Sequence, residues 1–123
     1  MTRRILDVGN CRPDHATIRQ LIQGHFQVEI DQVHTATEAL QALSRQSYDL
    51  VLVNRVFDRD GDDGLEMIRS IKSNSQTSET PTMLISNFED YQQMAISAGA
   101  VPGFGKAELG KNETLNKLRP YLA

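Results

Sequence analysis

The sequence lacks long hydrophobic runs, clusters of basic residues and a second cysteine. Its longest apolar stretches have the length of a β-strand, so we expect no membrane span. The 13 Lys and Arg residues are scattered among 16 Asp and Glu residues, which argues against a surface for nucleic acid. Cys11 has no disulfide partner, and no apolar segment of signal-peptide length follows the charged N-terminus. These absences predict a cytoplasmic protein.

The 123 residues provide enough chain for one hydrophobic core and too little for two, so we expect residues 1–123 to form a single domain. Apolar segments of strand length alternate along it with amphipathic helical segments. The predicted strands are residues 5–8, 26–30, 50–53, 82–85 and 101–104. The predicted helices begin near Pro13, the capping box Thr35–Glu38, Leu65, Asp90 and a point before Leu115.

This alternation predicts an α/β fold, namely a doubly wound, five-stranded parallel sheet with helices on both faces. The rules for crossover connections favour the flavodoxin-like strand order 2-1-3-4-5. Pro120 is expected to end or distort the last helix because proline cannot donate a backbone hydrogen bond. Functional groups of such sheets gather at the carboxyl ends of the strands, and the third strand ends at Asn54.

Four segments resemble the receiver domain of two-component response regulators. Residues 48–53 (YDLVLV) look like that family's third strand, and residues 63–68 (DGLEMI) look like the start of its third helix. Residues 81–86 (PTMLIS) are similar to its fourth strand, which ends in Ser or Thr. Ala98-Gly99-Ala100, followed by Lys106, resembles its Ala-Gly-Ala…Lys signature. The order and spacing of the four segments make the resemblance specific, and it extends over nearly the whole chain.

At several positions where the resemblance implies particular residues, the sequence has other ones. The acidic pair after the first strand is replaced by Gly9 and Asn10, and the phosphoacceptor aspartate by Asn54. Ser86 and Lys106 occupy the retained Ser/Thr and Lys positions. Gly103 stands at the position of an aromatic residue.

Phosphoryl transfer to a receiver needs an anionic oxygen nucleophile and a Mg²⁺ ion held by carboxylates. All three of those carboxylates are missing, so we expect no catalytic residue, no metal site and no cofactor. The resemblance therefore implies a degenerate pseudo-receiver, a non-enzymatic protein-interaction module in two-component-type signal transduction. The alternatives are a phosphorylatable receiver in which Asp7 or Asp58 replaces the lost acids, or a sensor of small anions or ligands. A flavin carrier is disfavoured because the segment after the first strand lacks the Ser, Thr and Gly residues of a flavodoxin phosphate loop.

The expected partner is a protein: a signalling kinase, an output domain or a second copy of the chain in a weak homodimer. The resemblance implies an interaction face where the fourth and fifth helices meet, with Tyr91, Met94 and Phe104 as candidate residues. The alternative is that these side chains lie in the core.

Three alternatives are open for Lys106: a pair with Asp58 or Asp60, a small anion pocket, or a solvent-exposed ammonium without a partner. Asp58, Asp60 and Asp62 have the opening spacing of a calcium loop, but Asp63 and Arg69 stand where such a loop requires Gly and Glu, so we interpret the segment as a solvated acidic turn. The histidines His15, His25 and His34 are interpreted as surface residues.

Overall fold

The computed structural model describes residues 1–123 and contains one parallel sheet of five strands in the order β2-β1-β3-β4-β5. The strands are β1 Arg3–Val8, β2 Val28–Val33, β3 Leu50–Asn54, β4 Thr82–Ile85 and β5 Val101–Phe104. This topology confirms the predicted flavodoxin-like order, with β3 in the centre and β2 at an edge.

Five α-helices cover the two faces of the sheet. They are α1 Arg12–His25, α2 Ala36–Arg45, α3 Gly64–Ser73, α4 Glu89–Ser97 and α5 Asn112–Leu122, and a short 3-10 helix, Lys106–Glu108, precedes α5. Apolar side chains of α1 and α5 belong to one buried cluster, and those of α2, α3 and α4 belong to another. The chain is therefore doubly wound, as predicted. None of its helices combines the length and the apolarity needed to cross a membrane.

The central strand β3 shows why a continuous apolar run predicts this architecture. Leu50 and Leu52 contribute to the cluster under α1 and α5, whereas Val51 and Val53 contribute to the cluster on the other face. All four side chains are completely buried. Because successive residues of a strand point to opposite faces, a strand covered on both sides has to be apolar throughout.

Two expectations for the C-terminal part were wrong, namely that Pro120 ends the last helix and that Phe104 lies on an interaction face. Pro120 neither ends α5 nor removes its last residues from the core, because it lies in the final turn and Leu122 beyond it is buried. Phe104 is completely buried in the cluster under α1 and α5. Its predicted place on an interaction face is therefore incorrect. The register between β4 and β5 shifts at Pro102-Gly103, and this shift accompanies the inward position of Phe104.

The predicted capping box of α2 is present and can be tested. Thr35 Oγ1 accepts a hydrogen bond from Glu38 N at 3.2 Å, and Glu38 Oε1 accepts one from Thr35 N at 3.1 Å. We expect Thr35→Ala to lower the free energy of unfolding by about 1 kcal/mol, because a donor of the first turn loses its partner.

Urea denaturation measures the effect of this substitution. Thr17→Ala is the matched control, because Thr17 lies inside α1 and its hydroxyl is exposed and bonds only to the carbonyl of its own helix. A loss of stability in the control as large as that in Thr35→Ala would contradict a capping effect.

Candidate functional site

Asn54 lies at the carboxyl end of β3, and both ends of its amide are used within the chain. Its Nδ2 donates hydrogen bonds to Gly9 O at 3.0 Å and to Val56 O at 2.8 Å. Its Oδ1 accepts a hydrogen bond from Arg55 N at 3.1 Å. The side chain thereby joins the end of β1 to the loop after β3 and presents no anionic oxygen.

Gly9 permits a close contact that the sequence did not reveal. Its φ is +82°, in the left-handed region, and a Cβ built on it would lie 2.3 Å from the Phe57 ring. Phe57 is buried, and Asp58 N donates to Gly9 O at 2.9 Å. The loop after β3 therefore folds back onto the end of β1, so that an acidic side chain at position 9 would be both strained and obstructed.

The second acidic-pair position, Asn10, is completely buried in a polar cluster. Asn10 Nδ2 donates to Asp7 Oδ1 at 2.6 Å, and His15 Nδ1 lies 2.6 Å from Asp7 Oδ2. An ionised carboxylate can only accept, so this contact is a hydrogen bond in the form of His15 that carries a proton on Nδ1. The side chain of His15 is only 12% exposed, so its interpretation as a surface residue was wrong, whereas His25 is exposed. Asp7 is engaged beneath α1.

Lys106 pairs with a carboxylate on α1. Its Nζ donates to Asp14 Oδ2 at 2.8 Å, and this hydrogen bond holds the pKa of Asp14 below its ordinary value. The prediction of Asp58 or Asp60 as the partner was wrong, and so was that of an unpaired ammonium. Asp58 instead lies 3.1 Å from His34 Nδ1. Asp60 Oδ1 accepts from Asp62 N within the acidic turn.

Arg55 is a prominent residue that the sequence interpretation missed. Its guanidinium lies 4.1 Å from the centre of the Tyr91 ring on α4, and its Nη1 lies 3.3 Å from Asp63 Oδ1. Asp63 also caps α3 by accepting from Leu65 N. A cation stacked on an aromatic face is an attractive contact, so Arg55 connects the end of β3 to both α3 and α4. No local sequence signal identifies it, because Tyr91 is remote in the chain.

Gln92 is a second residue that was missed, and it accounts for Gly103. Its Nε2 donates to Leu84 O at 2.9 Å and to Ser86 O at 3.1 Å, and its Oε1 accepts from Gly103 N at 3.2 Å. A Cβ at position 103 would lie 2.2 Å from Leu84 O. The aromatic residue of the family is therefore replaced by a glycine that lets buried Gln92 hold α4 against β4 and β5.

A cavity of about 350 Å³ opens beside these residues, between the loop after β3 and the start of α4. Ser86 lies in it, almost completely buried, and its Oγ accepts from Phe88 N at 3.2 Å. The residues that line the cavity are Asn54, Arg55, Val56, Ile85, Ser86, Asn87, Phe88, Tyr91 and Lys106. The structure thus brings Asn54, Ser86 and Lys106 together, as the sequence predicted, whereas Asn10 does not line the cavity.

Phe88, at the N-cap of α4, and side chains of the helix form the exposed part of the predicted interaction face. Phe88 is 66% exposed and Met94 is 49% exposed, whereas Tyr91 is half-buried under Arg55. Phe104 contributes nothing to this surface, since it lies in the core.

The residues at the carboxyl edge do not suit a divalent cation. Mg²⁺ in proteins is usually held by one or two carboxylates, and here the nearest acids are bonded to Asn10, His15 and His34. The buried oxygen without a hydrogen-bond partner is the neutral Asn10 Oδ1. The amide hydrogens of Asn54 point at two backbone carbonyls that would otherwise be available as ligands. No group of three or more His, Cys, Asp or Glu residues is arranged to hold a metal ion.

Fold and site together define a flavodoxin-like domain with a receiver-type arrangement at its carboxyl edge. The family model described as "Response regulator receiver domain" matches residues 13–118, and the chain belongs to this family. Receiver domains of two-component signalling are generally non-enzymatic modules that interact with proteins such as kinases and output domains. No match was found among curated proteins.

Solved structures similar to the chain have the same fold at low sequence identity. A candidate response regulator from Chloroflexus aurantiacus J-10-fl has a TM-score of 0.86 at 15% identity, with 98% of each chain covered. A response regulator from Thermotoga maritima has a TM-score of 0.79 at 20% identity, with 98% of each chain covered. The chemotaxis response regulator CheY4 of Vibrio cholerae has a TM-score of 0.75 at 18% identity, with 99% of this chain and 100% of that chain covered.

The Lys106–Asp14 pair predicts a pH dependence of stability. Because the folded state lowers the pKa of Asp14 from 3.8, the pair stabilises the fold above that pH, and the contribution is lost as pH falls through the folded value. We expect Asp14→Asn to lower the unfolding free energy near neutral pH by about 0.5 kcal/mol, since the pair is partly exposed.

The difference between wild type and Asp14→Asn should disappear as the pH falls below 3.8, the ordinary value for this carboxyl. Denaturant titrations across this range measure it. Asp62→Asn, in the exposed acidic turn, is the matched control and should leave the pH profile parallel to that of the wild type. A difference for Asp14→Asn that stayed constant at low pH would contradict the ion pair.

Asn54→Asp tests the amide bridge. The substitution replaces a donor by an acceptor that faces Gly9 O and Val56 O, so we expect a loss of about 2 kcal/mol of unfolding free energy in EDTA. Mn²⁺ should restore part of the stability that this variant has lost, because an added cation would satisfy the carboxylate and the two carbonyl oxygens that face it. Mn²⁺ should not stabilise the wild type.

Thermal unfolding with EDTA and with Mn²⁺ distinguishes these outcomes. Asn74→Asp is the control, because it makes the same change of charge at the exposed end of α3. Equal stabilisation of wild type and Asn54→Asp by Mn²⁺ would refute the interpretation of the bridge.

Proposed function

We propose that this receiver domain works without aspartyl phosphorylation and acts as a protein-interaction module in two-component signalling. The observation that carries the proposal is the position of the Asn54 amide, whose Nδ2 bridges Gly9 O and Val56 O. A phosphoryl acceptor needs a free anionic oxygen, whereas an amide nitrogen is a very poor nucleophile and this one is held by two acceptors.

The charges around the cavity support the same conclusion. Phosphoryl transfer relies on cations that neutralise the charge developing on the transferring group. Lys106 is hydrogen-bonded to Asp14, and no group of three or more His, Cys, Asp or Glu residues is arranged to hold a metal ion. Asp7 and Asp58, which the alternative of a rearranged phosphorylatable receiver requires, have histidine partners.

The partner surface that fits this proposal is the exposed side of α4. Phe88 and Met94 present large apolar side chains there, and Gln92 fixes the helix to β4 and β5 through buried hydrogen bonds. A helix held in this way keeps one position relative to the sheet. In this proposal, the signal is carried by whether the domain is present or is bound to its partner.

Incubation with acetyl phosphate and Mg²⁺, followed by intact-mass measurement, tests the proposal. We expect no gain of a phosphoryl group, because the acceptor position carries an amide that is hydrogen-bonded at both ends. A receiver that retains its acceptor aspartate, treated in the same tube, verifies that the reagent is active. A hydroxylamine-sensitive phosphoryl group on this chain would contradict the proposal, and mapping would show which carboxylate had reacted.

A second candidate function, a sensor of small ligands, is favoured by one observation. The cavity of about 350 Å³ at the carboxyl edge falls within the size range of small-molecule sites.

A further inference from the structure

The polar groups that line the cavity have hydrogen-bond donors left over and few acceptors. The Ser86 hydroxyl accepts from Phe88 N, and its own proton has no acceptor in the chain. Asn87 Oδ1 accepts from Ala107 N, whereas the Asn87 amide group donates to nothing. Lys106 uses one of its three N–H groups on Asp14. A ligand that satisfies these groups has to bring acceptor oxygens.

The charge of the lining indicates the sign of such a ligand. Arg55 and Lys106 are both cations, and none of the nine lining residues is Asp or Glu. Their partners Asp63 and Asp14 lie outside the lining and leave further N–H groups of both cations unused. An anion is therefore complementary to this cavity, and a cation is not.

The remaining walls are apolar and flat. Phe88 and Tyr91 meet edge to face with 6.2 Å between ring centres, and the Arg55 guanidinium covers the Tyr91 ring. Val56, which is exposed, also lines the cavity. Rings and a planar guanidinium offer stacking surfaces to a planar ligand, and Phe88 is free to turn towards one because most of it is exposed.

We infer that this cavity binds a small aromatic carboxylate, with the carboxylate accepting from Ser86, Asn87 and Lys106 and the ring packed against Phe88, Tyr91 and Arg55. The inference rests on the proposed function in one respect: a cavity that does not handle phosphoryl groups is available to another ligand. Binding would alter the exposure of Phe88 on α4, and so couple the ligand to the surface proposed for a protein partner.

Titration of the ¹⁵N-labelled chain with 2-naphthoate, followed by NMR, tests the inference. We expect saturable shifts at the amides of Arg55, Ser86, Asn87 and Tyr91. The neutral analogue 2-naphthamide should bind more weakly by a factor of about ten or more, because charge-assisted hydrogen bonds are lost. Inorganic phosphate, which lacks a ring, should bind more weakly than 2-naphthoate at the same residues.

Matched variants locate the site. Phe88→Ala should weaken 2-naphthoate binding several-fold, about the effect of one aromatic contact. Met94, an exposed apolar residue of α4, does not line the cavity, so Met94→Ala should leave binding unchanged. Arg55→Gln should weaken binding, whereas Arg69→Gln on the exposed side of α3 should not.

The inference is overturned if 2-naphthoate causes no saturable shift up to its solubility limit, or if 2-naphthamide or phosphate binds as well as 2-naphthoate. Failure here is separate from failure of the proposed function. If the chain does not bind 2-naphthoate and is not phosphorylated by acetyl phosphate, the proposed function stands and only the inferred ligand is rejected. A chain that becomes phosphorylated loses the proposed function whatever it binds.

Discussion

The amide of Asn54, bridging two backbone carbonyls, is the interaction on which the rest of the carboxyl edge depends. Its two N–H groups donate to Gly9 O and Val56 O. A carboxylate at this position would face the same two oxygens and would need a cation to offset their repulsion. With these carbonyls paired, the loop after β3 can close over the end of β1, and Phe57 fills the space beside Gly9. The amide in place of a carboxylate therefore leaves position 54 uncharged, with its hydrogen-bonding groups paired within the chain.

Charged residues near this edge are also paired with other residues of the chain. Buried Asp7 is paired with His15, and Lys106 is paired with Asp14. A buried charge lowers the stability of the fold unless it is paired. Removing one partner of a buried pair is more destabilising than replacing both by apolar residues. Lys106, which lacks the acidic cluster of the family, is partly exposed and is paired with Asp14 in the first turn of α1. The edge needs no bound ion for its folded charges to be satisfied.

The fold was predictable from sequence because its signals are local. The apolar run of β3, the capping box before α2 and the alternation of strands with helices each reflect a physical requirement of a few adjacent residues. The identities of Asn54, Ser86 and Lys106 at strand ends were equally readable, since topology brings the carboxyl ends of parallel strands together.

The pairings at the site were not predictable, because they join residues far apart in the chain. Lys106 and Asp14 are 92 positions apart, and nothing in either local sequence favours this carboxylate over Asp58. The burial of Phe104 depends on a register shift between β4 and β5, which alternation alone does not show. The mistaken placement of His15 at the surface has a similar origin, since Asp7 looks like one more strand residue until α1 covers it.

Gln92 and Gly103 extend the argument from the edge to the surface. In a receiver that switches, the segment next to the acceptor must be able to take two arrangements of similar free energy. Here a buried amide makes three hydrogen bonds that join α4 to β4 and β5, and breaking them would leave polar groups unsatisfied in the core. These hydrogen bonds favour the position that α4 has here. Since Phe88 lies outside these bonds and is largely exposed, it is the part of this surface that remains free to respond to a ligand or a partner.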